Sequence, residues 1–192
     1  MTTYFDRERS ASYERRATRL LGGLYRLVAA DVARLAPPGA SVLDVGTGPG
    51  LLLHEIAARR ADVVLGGVDL SADMVALATA GTPAWSSRVV VADVTSLPHG
   101  DESVDLVVST LSLHEWPDRR GAAAELRRVL RPDGVLLVYD FRFGRFEREV
   151  FSGLVDVRRV PVRPKRWPVA LFARVSASAP PARPPRAPRA PR

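Results

Sequence analysis

The chain has 192 residues, which is enough for one well-filled core and too few for two ordinary domains. Of its residues 46% are hydrophobic and 26% charged, a composition typical of a globular protein. The absence of cysteine excludes disulfides, and the three histidines are scattered, so we expect no metal. No apolar run is long enough to span a membrane, so we expect a cytoplasmic protein. The net charge of +7 belongs to the C-terminal quarter: residues 1–141 carry 15 basic and 18 acidic side chains, whereas residues 142–175 carry 9 and 3. This distribution disfavours a nucleic-acid partner, because a nucleic-acid-binding domain gathers basic side chains on one face.

The N-terminal segment, up to Leu35, has apolar residues at helical spacing and predicts helix. Gly22 and Gly23 weaken its middle and allow it to divide into two helices. Pro37 and the residues after it end the segment.

The stretch VLDVGTGPG, residues 42–50, predicts a buried strand, a glycine turn and the start of a helix. Glycines at alternate positions let a ligand lie against the main chain, and the following helix directs free N–H groups into the same space. The dinucleotide-binding pattern G-x-G-x-x-G is not matched, because Leu51 stands where its third glycine belongs. Asp44 at the strand tip is also unfavourable beside a pyrophosphate, so an oxidoreductase is disfavoured.

Two further predicted strands end in an acidic residue. Residues 63–68 lead to Asp69, and residues 88–92 lead to Asp93. Asp69 follows Asp44 by 25 residues, and Asp93 follows Asp69 by 24 residues. Each interval is about one strand-helix-strand step. A carboxylate at Asp69 can accept hydrogen bonds from both hydroxyls of a ribose, although it can also simply cap its turn.

These residues resemble the class I S-adenosylmethionine-dependent methyltransferases, whose first motif is an acidic residue followed by G-x-G-x-G. The resemblance is good over residues 10–140 and loose over residues 141–175, and it implies S-adenosyl-L-methionine as the cofactor. The expected cofactor-binding residues are Tyr13, Asp44, Gly46, Thr47, Gly48, Asp69, Leu70, Met74, Asp93, Val94 and Ser109.

The resemblance also implies a role for several of these residues. Tyr13 is expected over the methionine end of the cofactor, although ordinary packing explains it equally well. Leu70 and Met74 are expected to border the adenine, or to be plain core, while Asp93 and the N–H of Val94 are expected to contact the adenine amino group and ring nitrogen.

The fourth predicted strand, residues 104–109, continues into the loop STLSLHEWPD. Ligands bind beyond the carboxyl ends of parallel strands, so residues 109–116 are expected to line the methyl-acceptor pocket. His114 is the candidate general base, since imidazole commonly removes protons at neutral pH. It can alternatively hydrogen-bond the loop and hold Trp116.

The remaining elements are a helix capped by Asp118, an RPDG turn, a fifth strand over residues 135–139, a short helix within residues 145–154 and two strands over residues 157–162 and 168–175. From residue 176 onward proline and arginine dominate, which predicts a disordered tail. We therefore expect an N-terminal helical lid over residues 1–38, a cofactor-binding core over residues 39–175 and a tail over residues 176–192.

The predicted architecture is an α/β fold, Rossmann-like and doubly wound, with a mainly parallel seven-stranded sheet and N-terminal helices. The implied activity is methyl transfer to an oxygen, nitrogen or carbon nucleophile of a small-molecule acceptor. Two alternatives remain open: an RNA or ribosome methyltransferase that uses the basic C-terminal end, and a non-catalytic S-adenosylmethionine-binding protein. The sequence identifies neither the acceptor nor the oligomeric state.

Overall fold

The computed structural model describes residues 7–81, 83–85, 88–144, 146–165 and 167–182, and for residues 7–20 it describes the backbone alone. Over these residues the chain forms α1 Arg7–Leu35, β1 Ser41–Val45, α2 Leu51–Ala57, β2 Val64–Asp69, α3 Ala72–Thr79, β3 Val89–Val91, β4 Val104–Thr110, α4 Arg119–Val129, β5 Leu130–Phe141, β6 Val155–Val162 and β7 Phe172–Ser178. Short 3-10 helices occur at Leu113–Glu115 and Arg148–Phe151.

The seven strands form one sheet in the order β3-β2-β1-β4-β5-β7-β6. Strands β1 to β5 run parallel to one another, whereas β7 is antiparallel to both β5 and β6. This confirms the predicted Rossmann-like class. The chain order of the strands reverses between β1 and β4, so a crevice forms where their carboxyl ends diverge.

Apolar side chains form a core on each face of the sheet. On one face α1, α2 and α3 pack against β1 and β5, with Leu24, Leu53 and Tyr139 fully buried. On the other face α4 and the 3-10 helix Arg148–Phe151 pack against β4, β5 and β7. Both faces are covered, which explains why the central strands are continuous apolar runs.

Asp31 fastens α1 to the sheet. Its Oδ2 accepts hydrogen bonds from the hydroxyl of Tyr139 at 2.6 Å and from Nη1 of Arg174 at 2.7 Å, and its Oδ1 accepts one from Arg34 at 3.2 Å. Burial alone would raise the pKa of Asp31, but these hydrogen bonds outweigh it and hold the pKa below its usual value. The carboxylate is therefore ionised and joins α1 to β5 and β7.

Helix α1 runs without a break through Gly22 and Gly23, so the N-terminal segment contains one helix rather than the two that the glycine pair allows. A Cβ atom built on Gly23 would lie 3.3 Å from Cβ of Pro164 and 3.7 Å from Nε1 of Trp167. The glycine thus lets the turn between β6 and β7 approach the helix. Packing of the next helical turns offsets a propensity cost of about 1 kcal/mol per glycine.

The C-terminal third differs from the prediction in three places. Strand β5 already begins at Leu130, which pairs with Val104, and the expected RPDG turn is an irregularity inside the ladder. Within the segment 145–154, where a short helix is expected, the described residues form only the 3-10 helix Arg148–Phe151. Strand β7 continues to Ser178, which pairs on both sides, so the expected tail does not begin at residue 176. Residues 183–192 lie outside the described part.

None of the helices in the described part of the chain is both long and apolar enough to cross a membrane.

Candidate functional site

The glycine turn after β1 needs glycine for two different reasons. Gly46 and Gly48 have φ values of 71° and 53°, which side chains rarely adopt. A Cβ atom on Gly46 would lie 2.5 Å from Cβ of Ser112, whereas one on Gly48 would meet nothing within 4 Å. The turn is therefore pressed against the loop after β4 at Gly46 and is open above Gly48.

Beneath this turn lies a buried carboxyl group with an unused oxygen. Asp44 is 1% exposed, and its Oδ2 accepts a hydrogen bond from the hydroxyl of Thr47 at 2.9 Å. Its Oδ1 is buried and has no partner among the described residues. Burial raises the pKa of Asp44, the Thr47 hydrogen bond lowers it and the charge of Asp69 raises it, and the net result is a pKa of about 7. Such a group gains most from a positively charged or hydrogen-bond-donating ligand.

Asp69 connects the end of β2 to the glycine turn. Its Oδ2 accepts a hydrogen bond from the N–H of Gly48 at 2.8 Å, and its Oδ1 accepts one from the N–H of Ser71 at 2.9 Å. Burial raises the pKa of Asp69, although these bonds lower it. Each oxygen keeps a second lone-pair direction, so the carboxylate can still accept two hydroxyl groups.

The residues expected around an adenine differ in how far they are exposed. Leu70 is 72% exposed and borders the space beside Asp69, whereas Met74 is 4% exposed and packed. Asp93 is exposed, and its Oδ1 accepts hydrogen bonds from the N–H and hydroxyl of Thr95 at 2.8 and 2.7 Å. Val94 is half-buried against the core.

Of the expected cofactor residues, Ser109 does not face the crevice, and the side chain of Tyr13 lies outside the described residues. The side chain of Ser109 is fully buried, and its hydroxyl shares a 2.6 Å hydrogen bond with that of Ser112. The Ser112 hydroxyl in turn donates to the carbonyl of Val45 at 3.3 Å, so Ser109 supports the loop from below. Tyr13 lies in α1, and its side chain is outside the described residues.

His114, in the loop after β4, is held by Asp140 at the end of β5. Nδ1 of His114 lies 2.9 Å from Oδ1 and 3.1 Å from Oδ2 of Asp140, and the backbone N–H of His114 donates to the same carboxylate at 2.8 Å. Asp140 accepts from Nδ1–H, which leaves Nε2 as a proton acceptor. The imidazole is 40% exposed and the carboxylate 13%. This geometry is that of a general base oriented by a carboxylate.

The rest of the loop after β4 is less exposed than expected. Leu113 and Trp116 are mostly buried in the core beneath α4, but Leu113 still lines a cavity together with His114, Asp140 and Phe141. Leu111 has a φ of 59°, an unfavourable value for leucine, and its N–H donates to the carbonyl of Tyr139 at 2.7 Å. This left-handed residue reverses the chain so that His114 reaches Asp140.

Sequence analysis missed Asp140 as part of the site, and it missed the close approach of Ser112 to Gly46. Asp140 is 26 residues from His114, and only the pairing of β4 with β5 brings them together. Its one sequence signal is that, like Asp44 and Asp69, it is an acidic residue near the end of a predicted parallel strand. Among the described residues no cluster of three or more histidine or acidic side chains is arranged to hold a metal.

A family model described as a methyltransferase domain matches residues 43–138, half of the chain. The ubiquinone/menaquinone biosynthesis C-methyltransferase of Geotalea daltonii is 33% identical over 127 residues, covering 64% of this chain and 54% of that protein. The 27-O-demethylrifamycin SV methyltransferase of Amycolatopsis mediterranei is 38% identical over 145 residues, covering 72% of this chain and 49% of that protein. The chain thus spans about half the length of these curated relatives.

Among solved structures, a TehB-like S-adenosylmethionine-dependent methyltransferase of Corynebacterium glutamicum has a TM-score of 0.72 with this chain. The match covers 91% of this chain and 100% of that one, at 23% sequence identity. At this level of identity the likeness shows a shared fold.

Proposed function

The chain belongs to the methyltransferase-domain family, and from this premise we propose that it transfers the methyl group of S-adenosyl-L-methionine to an oxygen, nitrogen or carbon nucleophile of a small-molecule acceptor. The observation that carries the proposal is the buried, unpartnered Oδ1 of Asp44 beneath an open glycine turn. A carboxyl group in this position suits the ammonium of an amino-acid ligand better than a phosphate.

The residues around the turn fit the cofactor. Asp44 and the backbone at Gly48 would hold its amino-acid part, Asp69 would accept the ribose hydroxyls, and Leu70 would lie against the adenine. Asp93 keeps one carboxylate oxygen without a described partner for the adenine amino group. When bound, S-adenosylmethionine supplies an electrophilic methyl group on sulfur. The protein must then position the acceptor and remove its proton.

Proton removal is the role that we propose for His114. Asp140 fixes the ring through Nδ1, which leaves Nε2 for the acceptor, and it stabilises the imidazolium that forms when Nε2 takes the proton of the acceptor. A carboxylate beside the ring offsets this new positive charge without itself needing to be protonated. His114 is therefore the proposed catalytic residue and Asp140 its positioning residue.

Cofactor binding is tested by calorimetric titration with S-adenosylmethionine and, separately, NAD. We expect the parent to bind S-adenosylmethionine only, and Asp69→Ala to weaken this binding by more than tenfold. Because Ala also removes the acceptor of the Gly48 and Ser71 N–H groups, Asp69→Asn is measured beside it. Asp101→Asn, an exposed acid at the amino end of β4, is the matched control. Binding of neither ligand, or unchanged affinity in both Asp69 variants, would refute the proposal.

The His114 assignment is tested without knowing the acceptor. Nitrogen NMR of the ring should show a proton on Nδ1 and a free Nε2 in the parent, and Asp140→Asn should lose this preference. Glu115→Gln is the control, because Glu115 lies 3.8 Å from Nε2 and is 57% exposed. A ring that carries its proton on Nε2 in the parent would contradict the assignment.

A further inference from the structure

We propose that the protein docks on an anionic lipid surface through the turn after β5 and the segment that connects β6 to β7. The docking surface consists of three exposed apolar side chains and three exposed cationic ones: Phe141, Phe143, Val169, Arg142, Arg163 and Lys165. The proposed mechanism uses none of these residues, and the inference does not depend on methyl transfer.

The turn after β5 holds an aromatic ring out in the solvent. Phe143 is 78% exposed, the largest exposed fraction among the large apolar side chains of the described residues. The N–H of Gly144 donates to the carbonyl of Phe141 at 3.2 Å and closes the turn. Arg159 on β6 donates to the carbonyls of Arg142 and Gly144 and braces the same turn. The braced backbone therefore fixes the Phe143 ring away from the core.

The segment before β7 lies beside this turn and adds a second exposed apolar residue. The backbone N–H of Arg142 donates to the carbonyl of Leu171 at 2.8 Å, so the two segments are adjacent. Val169, two residues before Leu171, is 54% exposed, and Phe141 at the end of β5 is 48% exposed. Single exposed apolar residues are ordinary, whereas several on neighbouring loops indicate an interaction site.

The cations of the docking surface contact neutral groups. Arg163 donates to the carbonyl of Trp167 at 3.2 Å, and the guanidinium carbon of Arg142 lies 5.4 Å from the centroid of the Phe143 ring. The ion pairs within the described part of the chain include neither these two arginines nor Lys165. Most of their donors are therefore available to an anionic partner.

The acidic residues of the same segment lie elsewhere. Residues 142–175 contain three: Asp156 stands near the beginning of β6, at the opposite edge of the sheet, and Glu147 and Glu149 belong to the 3-10 helix packed with α4. Asp140 is bound to His114. The local charge of the docking surface is therefore positive.

This combination fits a bilayer better than a nucleic acid. At an anionic membrane, aromatic and aliphatic side chains enter the boundary between headgroups and acyl chains, while lysine and arginine contact the lipid phosphates. An RNA strand could use the cations and stack a base on Phe143, but it would gain little from the aliphatic Val169. The Phe141 ring lies 5.4 Å from that of His114, so docking would place the candidate base beside the lipid surface.

The test is co-flotation of the full chain with lipid vesicles. We expect binding to vesicles of phosphatidylcholine mixed with phosphatidylglycerol and little binding to phosphatidylcholine alone. Added salt should weaken this binding, because it screens the attraction between the cations and the lipid phosphates.

Matched variants separate the apolar from the electrostatic contribution. Phe143→Ala and the double change Arg163→Gln with Lys165→Gln should each weaken vesicle binding tenfold or more. The controls are Val155→Ala, which alters an apolar residue 41% exposed at the opposite edge of the sheet, and Arg120→Gln with Arg127→Gln, two exposed arginines of α4. Both controls should change binding less than threefold. Circular dichroism verifies that every variant is folded.

A reporter dye tests insertion directly, because the chain has no cysteine of its own. An environment-sensitive fluorophore on Val169→Cys should shift to the blue on the mixed vesicles. The same fluorophore on Val155→Cys should not respond.

Three results would overturn the inference. One is equal binding to both kinds of vesicle, or none to either. Another is binding that the arginine and lysine changes abolish and Phe143→Ala leaves intact, or an RNA oligonucleotide that binds through the same cations while the dye stays unresponsive. The third is a dimer in sedimentation that Phe143→Ala dissociates, because a second copy would then cover the docking surface. S-adenosylmethionine titration is independent of these measurements, so either proposal can fail alone.

Discussion

Asp44 is a buried acid whose ionisation depends on the ligand above it. Its pKa lies near 7 because burial disfavours the carboxylate, so at neutral pH the free protein holds this group partly protonated. A cationic ligand at Oδ1 would favour the ionised form and therefore release a proton on binding. The same carboxyl group thus links cofactor affinity to pH.

We predict that affinity for S-adenosylmethionine rises with pH up to about 7, by at most about tenfold per unit, and levels off above it. Calorimetry at several pH values, in buffers with different ionisation enthalpies, would measure both the affinity and the released proton. Asp44→Asn should bind more weakly and show a flat profile over the same range. A parent profile that is equally flat would contradict the prediction.

The stability of the free protein should show the opposite trend. Because the folded pKa of Asp44 lies above the unfolded value of about 3.9, this group stabilises the fold below that pH and loses its contribution as pH rises through about 7. At pH 8 Asp44→Asn should therefore be more stable than the parent by about 1 to 2 kcal/mol, as measured by urea unfolding without ligand. Lower stability of the variant would show that the carboxylate is satisfied in the fold.

The two glycines of the turn should respond differently to the same substitution. Gly46→Ala forces Ser112 to move and should destabilise the fold by about 2 to 4 kcal/mol. Gly48→Ala meets only open space and should cost about 1 kcal/mol, the backbone strain of its φ value. Yet Gly48→Ala should weaken S-adenosylmethionine binding more than tenfold, since its methyl group enters the ligand space. Unfolding and titration of both variants provide the measurement.

The acids that end β1 and β2 could be predicted from sequence because a buried apolar run followed by an acidic residue is a local pattern. The pairing of His114 with Asp140 could not, since it depends on how far β5 extends beyond β4. Likewise nothing local indicates that Ser112 reaches under Gly46. Contacts between loops on neighbouring strands require the register, which a single sequence does not contain.

At the level of elements, α1 shows why a local signal was misleading. The glycine pair lowers helix propensity, but Gly23 faces Pro164 and Trp167, so it serves the contact between α1 and the turn after β6. The RPDG residues, by contrast, turn as their local pattern predicts: none of them pairs with β4, Asp133 has a φ of 61°, and the pairing resumes at Val135. In α1, tertiary contacts outweighed helix propensity.

Asp31→Asn should loosen the attachment of α1. The change removes the carboxylate from the buried hydroxyl of Tyr139 and from Arg174, and we expect a loss of about 2 to 3 kcal/mol in the free energy of unfolding. Glu55→Gln removes an exposed ion pair with Arg59 and should cost less than about 0.5 kcal/mol. Denaturant unfolding measures the stability of both variants. Equal losses in the free energy of unfolding would show that the contacts of Asp31 stabilise the fold no more than an exposed ion pair does.

At the scale of the whole molecule, the strand order places the crevice at the middle of the sheet, beside β1 and β4, with one core on each face of the sheet. A ligand there contacts elements that belong to both faces, so it should stabilise the fold as one unit. At about 100 times the dissociation constant it contributes about 2.7 kcal/mol, which should raise the melting temperature by about 5 to 10 °C.

Two tryptophans can test this cooperativity. Trp85 lies in the core on the α1 face and Trp116 in the core on the α4 face. In each variant that keeps only one of the two, and that also carries Trp167→Phe, the fluorescence transition should coincide with the transition measured by circular dichroism. Both variants should shift equally with S-adenosylmethionine. Two separate transitions, or a shift seen by one tryptophan only, would show that the faces unfold independently.

The Asp31 contacts also bear on how the chain is made. Its partners Tyr139 and Arg174 are 108 and 143 residues further along, so a growing chain completes α1 long before it can anchor it. Until β5 and β7 have been synthesised, the apolar side of α1 lacks its partners on those strands. The contact with Arg174 can therefore lock α1 in place only after nearly all of the sheet has been made.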